Sequence, residues 1–318
     1  MPLITKQMTV KEIYMNGKFI PFEEGIVSVR NHCFSYGTGC FEGIRGYWNE
    51  EAQQVFLFRL REHYERLERS CKTLFMSLPH TIDELMEISI ELVKRNDQRE
   101  DVYLRPVVYK NAQIIGVRLH DVADSFLLTS EPMGNYVETS GLRCGVSSWR
   151  RIDDNAIPAR AKVCGAYVNS ALAKTEALQN GFDEAIMLTH DGHVSEGSAE
   201  NIFLLTNGEL VTPAPTENIL LGITRDTLMQ IAQQELGIPV RERSIDRTEL
   251  YTANEVFLCG TGAQVAPVIE IDHRPIGNGQ VGPITSKLQK LYFDIVRGKR
   301  PAYSHWCTPV HTQVAQHS

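Results

Sequence analysis

No two cysteines of this 318-residue sequence stand in a C-x-x-C arrangement; the seven present are scattered, at 33, 40, 71, 144, 164, 259 and 307. An odd, dispersed set excludes a disulfide framework and a cysteine-based zinc site, and fits thiols kept reduced in a cytosol. Long hydrophobic runs are missing too. No segment approaches a membrane span, and the opening residues MPLITKQMTVKEIYMNG have no apolar signal core, so the expectation is a cytoplasmic chain with no membrane partner. Positive charge is in deficit: the formal net charge is −7, which argues against nucleic acid as a partner. The G-x-S-x-G elbow, the G-x-G-x-x-G fingerprint and the phosphate-binding P-loop are absent, as are repeats and low-complexity stretches. What remains is 42% hydrophobic and 22% charged, the composition of an ordinary globular chain long enough for two domains or one large α/β domain.

What is present reads as hairpins beside segregated helices. EIYMNGKFIPF carries Asn16-Gly17 between two apolar runs, a hairpin signal. VFLFRL reads as a strand and REHYERLERSCKTLF as a helix. HTIDELMEISIELVKRND opens with Thr81 and Glu84 at capping-box spacing. VYLRPVVYK, SFLLTS and LRCGVSSW read as strands, with the polar, turn-rich EPMGNYVETSG between the last two as a linker. Beyond it come a helix stopped by Gly181, hairpins turned at Asp191-Gly192 and Asn207-Gly208, a helix ending at Gly237, and a strand–turn–strand in EVFLCGTGAQVAPVIEI. The last residues read as a loosely attached tail. This pattern predicts an α+β fold rather than a doubly wound parallel one. Its parts are a small N-terminal α+β domain over 1–130, an interdomain loop over 131–141 and a larger C-terminal domain over 142–318.

Four stretches can carry chemistry. HDGH, 190–193, offers two histidines and an aspartate, but no third cluster of ligands accompanies them; it reads as a hairpin turn, and no metal is expected. LLGITRD, 220–226, places Gly222 before a helix with Thr224 in its first turn, which reads either as a plain cap or as an anion site built from free backbone N–H groups and a hydroxyl. SEGSAENIF, 195–203, sets Glu196 between small residues and an apolar run, where a carboxylate needs a partner such as a protonated nitrogen. In ARAKVCGAYVNSAL, 159–172, Lys162 has small or apolar neighbours and no carboxylate within five positions. Most lysines are solvated surface groups, but small, uncharged neighbours are what a lysine used as a nucleophile for a carbonyl would need. A carbonyl-capturing lysine, a phosphate pocket and a buried carboxylate together are the needs of pyridoxal 5′-phosphate. The lysine holds the aldehyde, the helix start holds the phosphate, and the glutamate keeps the ring nitrogen protonated.

These motifs, with YGTGCFEGIRGY, REHYERL, VYLRP, AKVCGAYVNSALAKTEALQNGFDEAI, GITRD and CGTGAQVAPV in the same order, resemble the fold-type IV pyridoxal-phosphate aminotransferases, and within them the branched-chain amino acid aminotransferases, over residues 12–298. The resemblance implies that Lys162 binds the cofactor and moves the proton between substrate and cofactor carbon. It implies that Tyr167 bonds the 3′ oxygen and Glu196 the ring nitrogen, that Leu220 packs under the ring, and that Arg66, Ile223, Thr224 and Thr261 hold the phosphate. His63 and Arg66 lie on one helical face, consistent with that placement. For the substrate it implies an apolar pocket from Phe41 and the neighbours of Tyr103, backbone N–H groups of Thr261 and Gly262 on the α-carboxylate, and Arg105 on the distal carboxylate of glutamate or 2-oxoglutarate. By the same resemblance Tyr36 would reach the neighbouring subunit's pocket, so a homodimer is the implied minimum. Two positions and one stretch depart from the family pattern: Gly262, where many relatives carry alanine; Met133, where relatives often carry a larger aromatic residue; and 111–121 with its Arg118. The activity implied is ping-pong transfer of the amino group of L-leucine, L-isoleucine or L-valine to 2-oxoglutarate, with amino acids and 2-oxo acids as the small-molecule partners. An (R)-amine or D-amino acid aminotransferase, or an aminodeoxychorismate lyase, is the alternative on the same fold.

Overall fold

The computed structural model describes residues 10–134 and 141–311. Its contacts divide the chain into two compact units, Met1–Gly134 with Asp294–Ser318, and Asn135–Phe293.

The first unit is built on a sheet of strands β1 (Glu12–Met15), β2 (Lys18–Pro21), β3 (Gly39–Phe41), β4 (Ile44–Asn49), β5 (Gln54–Phe58), β6 (Val102–Lys110) and β7 (Asp124–Pro132), completed by the C-terminal strand Cys307–Pro309. The order is Cys307–Pro309, β5, β4, β6, β7, β1, β2, with β3 paired to β6. Asn16-Gly17 makes the two-residue turn that sets Met15 opposite Lys18. Along β6 the period-two alternation holds: Val102, Leu104 and Pro106 are buried, while Tyr103 and Arg105 are half-buried on the other face. The helices are α1 (His32–Tyr36), α2 (Leu60–Thr73) and α3 (Ile82–Arg95). Thr81 and Glu84 form the expected capping box at the start of α3, worth about 1 kcal/mol. The Tyr64 hydroxyl of α2 meets Ser89 of α3 at 2.5 Å.

Two expectations are revised here. Residues 307–311 are not a loose tail: Cys307 pairs with Phe58, and the Gln54 side chain accepts from Val310 N and His311 N and donates to His311 O. The segment from Asp294 onward therefore belongs to the first unit rather than to a domain beginning at 142. The linker also starts later than 131, because Glu131 and Pro132 end β7; its residues 135–140 lie outside the described residues.

The second unit holds β8 (Leu142–Val146), helix α4 (Tyr167–Gln179), β9 (Glu184–Leu188), β10 (Val194–Gly197), β11 (Asn201–Thr206), β12 (Glu209–Pro213), helix α5 (Ile223–Leu236), β13 (Val240–Arg243), β14 (Glu255–Gly260), β15 (Gln264–Ile271), β16 (Arg274–Pro275) and the start of α6 (Pro283–Val296). The sheet order is β10, β9, β8, β15, β14, β11, β12, β13, with β16 on β15. The hairpins at Asp191-Gly192 and Asn207-Gly208 are present, and HDGH serves as the β9–β10 turn. Three pairings are parallel, β8 with β9, β8 with β15 and β12 with β13, so the sheet is mixed rather than purely hairpin-built. Cys144, Ile186, Ile202, Leu204, Val256, Leu258 and Ala266 form much of its apolar core. No disulfide joins any of the seven cysteines. Among the described residues no helix is long and apolar enough to cross a membrane.

Candidate active site

Lys162 lies just ahead of a short 3-10 turn, Cys164–Ala166, that runs directly into α4. The turn brings the first residue of the helix back toward the lysine, and Lys162 Nζ donates to the Tyr167 hydroxyl at 2.7 Å. The amine also sits 5.3 Å from the Tyr167 ring centroid. Ala161 and Val163 are buried on either side, while Lys162 itself is half-buried rather than enclosed. The five-residue spacing thus places an amine and a phenol in contact, as imine chemistry at a phenolic cofactor oxygen requires.

Glu196 is on β10, beside an irregularity in the register between Val194 and Glu196, and only 4% of it is exposed. Its Oε1 is 2.8 Å from the Arg151 guanidinium. Its Oε2 accepts from Asn201 Nδ2 and from the Leu220 backbone N–H, both at 3.1 Å. Burial pushes this carboxyl above its ordinary range; the Arg151 charge is the largest force in the opposite direction, followed by the Leu220 N–H and the charges of Lys162 and Arg225. Glu196 was expected to need a protonated nitrogen, and within the unit it has one in Arg151. Leu220 acts here through its backbone, donating its N–H to Glu196 and accepting from Asn201 at its carbonyl.

Asn201 ties this acid to the next element. Its Nδ2 also donates to Leu220 O at 2.9 Å, and a Cβ on Gly222 would fall 2.0 Å from its Oδ1. Glycine at 222 is therefore required by close approach. Gly222 is also the N-cap of α5 and supplies no side-chain cap to Ile223 and Thr224 behind it, both of them buried. A helix start left without a side-chain cap, with a threonine at its second position, fits an anion. Thr261 and Gly262 lie in the tight turn between β14 and β15, half-buried, and the turn is closed by Gln264, buried and held at a φ of 60°. A lysine–phenol contact, a buried acid and a helix start without a side-chain cap fit the needs of a pyridoxal phosphate, and the second unit carries all three.

In the first unit, Arg66 and His63 share one face of α2 and converge on Glu42, between β3 and β4. Arg66 Nε and Nη2 grip the two Glu42 oxygens at 2.6 and 2.7 Å, and His63 Nδ1 meets Oε2 at 2.7 Å. Burial pushes Glu42 up, but Arg66, by charge and hydrogen bond, and then His63 outweigh it and hold the carboxyl well below its usual range. Burial drives the His63 pKa down. On the neighbouring strands Arg105 donates to the Tyr103 hydroxyl at 2.9 Å, and its guanidinium lies 4.5 Å from the Phe41 ring and 5.1 Å from that of Tyr103. A Cβ on Gly43 would sit 2.1 Å from the Tyr103 oxygen, so glycine there makes room for this stack. Tyr36, at the end of α1, accepts from the Gly116 N–H, and Arg118 is exposed. Met133 binds back to its own unit, its N–H to Asp101 O and its carbonyl accepting from Arg45. Glu42, Arg151 and Asn201 were not singled out in the sequence. Each finds its partner through strand pairing or a loop, and no local pattern marks it.

The model of the amino-transferase class IV family matches residues 39–271. The chain belongs to the class IV aminotransferase family. It is 50% identical over 307 residues to a probable branched-chain-amino-acid aminotransferase of Aquifex aeolicus, covering 96% of this chain and 99% of that one. Among solved structures it resembles the branched-chain aminotransferase of Thermoproteus uzoniensis with norvaline, at a TM-score of 0.91 and 44% identity over 94% of this chain and 99% of that one. It also resembles the branched-chain amino acid aminotransferase of Thermobaculum terrenum in its PLP-form. That TM-score is 0.90, with 39% identity over 95% of this chain and 99% of that one. The two-unit α+β architecture is thus that of fold-type IV branched-chain aminotransferases, and the family makes the chain a transaminase.

Proposed function

We propose that this chain is a pyridoxal 5′-phosphate-dependent branched-chain amino acid aminotransferase, which moves the amino group of L-leucine, L-isoleucine or L-valine to 2-oxoglutarate in two half-reactions. The observation that carries it is the Lys162–Tyr167 contact beside the buried, hydrogen-bonded Glu196. The cofactor, when bound, supplies the electron sink. Lys162 would hold the cofactor at its aldehyde carbon and, when its amine is free, would be the base that moves the substrate α-proton. Tyr167 donates to the phenolic oxygen, and Glu196 holds a proton at the ring nitrogen. The start of α5 at Ile223 and Thr224, together with Thr261, would hold the phosphate, and Leu220 would pack under the ring. The first-unit residues Arg66, Phe41, Tyr103, Arg105 and Tyr36, and the N–H groups of Thr261 and Gly262, take the phosphate- and substrate-binding roles implied by the resemblance.

A homodimer and a cytosolic location belong to the same proposal. Ile26, Val29, Phe34, Ile115 and Val117 are 77%, 81%, 75%, 94% and 76% exposed. The segments that carry them are joined by His32, whose N–H donates to Ala112 O and whose Nε2 bonds Gly116 O. An apolar surface of this kind, held in one piece by a buried histidine, suits a second copy of the chain.

The test is borohydride reduction of the protein with bound cofactor, followed by peptide mapping, together with a panel of amino donors against 2-oxoglutarate. The label is expected on Lys162, and the three branched-chain donors are expected to lead the panel. Label on Lys174, or on no lysine, overturns the site.

A further inference from the structure

Arg151 is 9% exposed, and its guanidinium meets Glu196 at 2.8 Å while Nε donates to Asn218 O at 3.2 Å. Its loop does not need that side chain for anchorage. Arg151 N donates to Leu188 O, Ser147 N to Ile186 O and Ile152 N to Asn169, while Ser147 and Ser148 hold Glu176 of α4. A guanidinium taken out of water beside one carboxylate, in a loop already fixed by its backbone, has an electrostatic purpose to account for. The groups facing Glu196 are Arg151, Lys162 and Arg225, with the carboxylate of Glu200 acting against them. Of the three cations, Arg151 is the one in direct contact, and Arg225 is already bound to Glu242 and Pro213 O. The charge of a lysine engaged in imine chemistry changes as amine and imine interconvert, whereas a guanidinium keeps its own.

Resting on the reading of Glu196 as the ring-nitrogen partner, we propose that Arg151 is the positioning residue that keeps Glu196 an anion, so that the proton between Glu196 and the cofactor nitrogen resides on the nitrogen. A buried carboxyl facing a pyridine can share one proton in two ways: as carboxylate with pyridinium, or as carboxylic acid with neutral pyridine. Only the first makes the ring an effective electron acceptor. Burial alone favours the second, neutral pair. A permanent cation on the far carboxylate oxygen opposes that preference, and Asn201 with the Leu220 N–H holds the near oxygen in place.

The test is the 15N chemical shift of the ring nitrogen in holoenzyme loaded with 15N-labelled pyridoxal phosphate, which separates pyridinium from pyridine without reference to turnover. The parent protein and Arg151→Lys should show pyridinium; Arg151→Met and Glu196→Gln should both move toward neutral pyridine, and the double variant no further than either. Removing one charge-assisted contact should also weaken cofactor binding about tenfold in Arg151→Met, measured by equilibrium dialysis, and only about threefold or less in Arg151→Lys. Should Arg151→Met not fold, Arg151→Gln, which keeps a donor but no charge, gives the same measurement and the same expectation. A pyridinium shift retained in the uncharged variants, while Glu196→Gln loses it, overturns the proposal and leaves the role of Glu196 intact. A shift unmoved in Glu196→Gln overturns that role itself.

Discussion

Each unit buries a carboxylate against an arginine, and the two surroundings treat their acids differently. In the first unit Glu42 receives the Arg66 fork on both oxygens and His63 on one, all at 2.6–2.7 Å. Glu196 in the second unit receives one guanidinium contact at 2.8 Å and two neutral N–H donors at 3.1 Å. Burial costs both acids their hydration. For Glu42 the donors outweigh that cost and its pKa falls; for Glu196 they do not, and its pKa rises. Glu42 is electrostatically complete within its own unit and organises α2 against β3. Glu196 is under-matched, the condition in which a further positive partner from a ligand is most strongly attracted. Perturbed acids are candidates for functional sites, and of this pair Glu196 is the one whose partners leave burial uncompensated.

The sharpest way to break that comparison is to remove each charge while keeping the shape. Glutamine mimics the protonated acid. Where the folded state lowers the pKa, neutralisation destabilises; where it raises the pKa, neutralisation is tolerated. Glu42→Gln strands a buried guanidinium and is expected to cost about 3–5 kcal/mol in urea unfolding. It should also flatten the acid limb, because the contribution of Glu42 is present above the ordinary value of 4.5 and is lost as pH falls through its lowered pKa. Loss of less than about 1 kcal/mol would show that the Arg66 fork carries no such weight.

Glu196→Gln is expected to do the reverse. Stability should fall by less than at position 42, because Arg151 makes a single contact to Glu196 and keeps its bond to Asn218 O, while turnover falls at least roughly tenfold, since a charge-assisted contact to the ring nitrogen is worth on the order of 1.5–3 kcal/mol. Chemical denaturation and single-turnover kinetics on one preparation decide it. Equal stability losses at positions 42 and 196 would erase the distinction drawn between the two acids.

Local chemistry was legible in the sequence; the pairing of distant groups was not. The capping box at Thr81 and Glu84, the Asn-Gly turns and the five-residue step from Lys162 to Tyr167 each lie within one turn or one helix entry, so spacing alone exposes them. Arg66 stands 24 positions from Glu42, and Arg151 reaches Glu196 only because the loop beyond β8 passes β10; neither pairing leaves a periodic trace. Gly222 read as a helix-start residue, but its necessity comes from the Asn201 side chain pressed against it. The C-terminal strand was misread as a tail because its partner β5 lies some 250 positions earlier, and the parallel pairs of the second sheet went unseen because their connections are long.

The comparison sharpens further four residues beyond Glu196. Glu200 is equally buried but has no arginine in contact; Glu184 lies nearby, and Lys174 Nζ bonds Glu184 at 2.5 Å. Burial first, and the Glu184 carboxylate second, push Glu200 up to about 8, against the Ala199 N–H and the Lys174 charge. Two acids on one short segment are thus expected to differ because only one of them touches a guanidinium. The sign follows from linkage. A carboxyl whose folded pKa is raised contributes stability fully below its unfolded value of 4.5 and loses that contribution as pH climbs toward 8. Glu200→Gln removes the titration while keeping the neutral form's shape. Its stability should match the parent near pH 5 and exceed it at pH 9, by roughly 1–2 kcal/mol once relaxation and water entry are allowed for. Thermal or urea unfolding of the apoprotein across that range measures the difference. Parallel curves for parent and variant would overturn the assignment of this titration to Glu200.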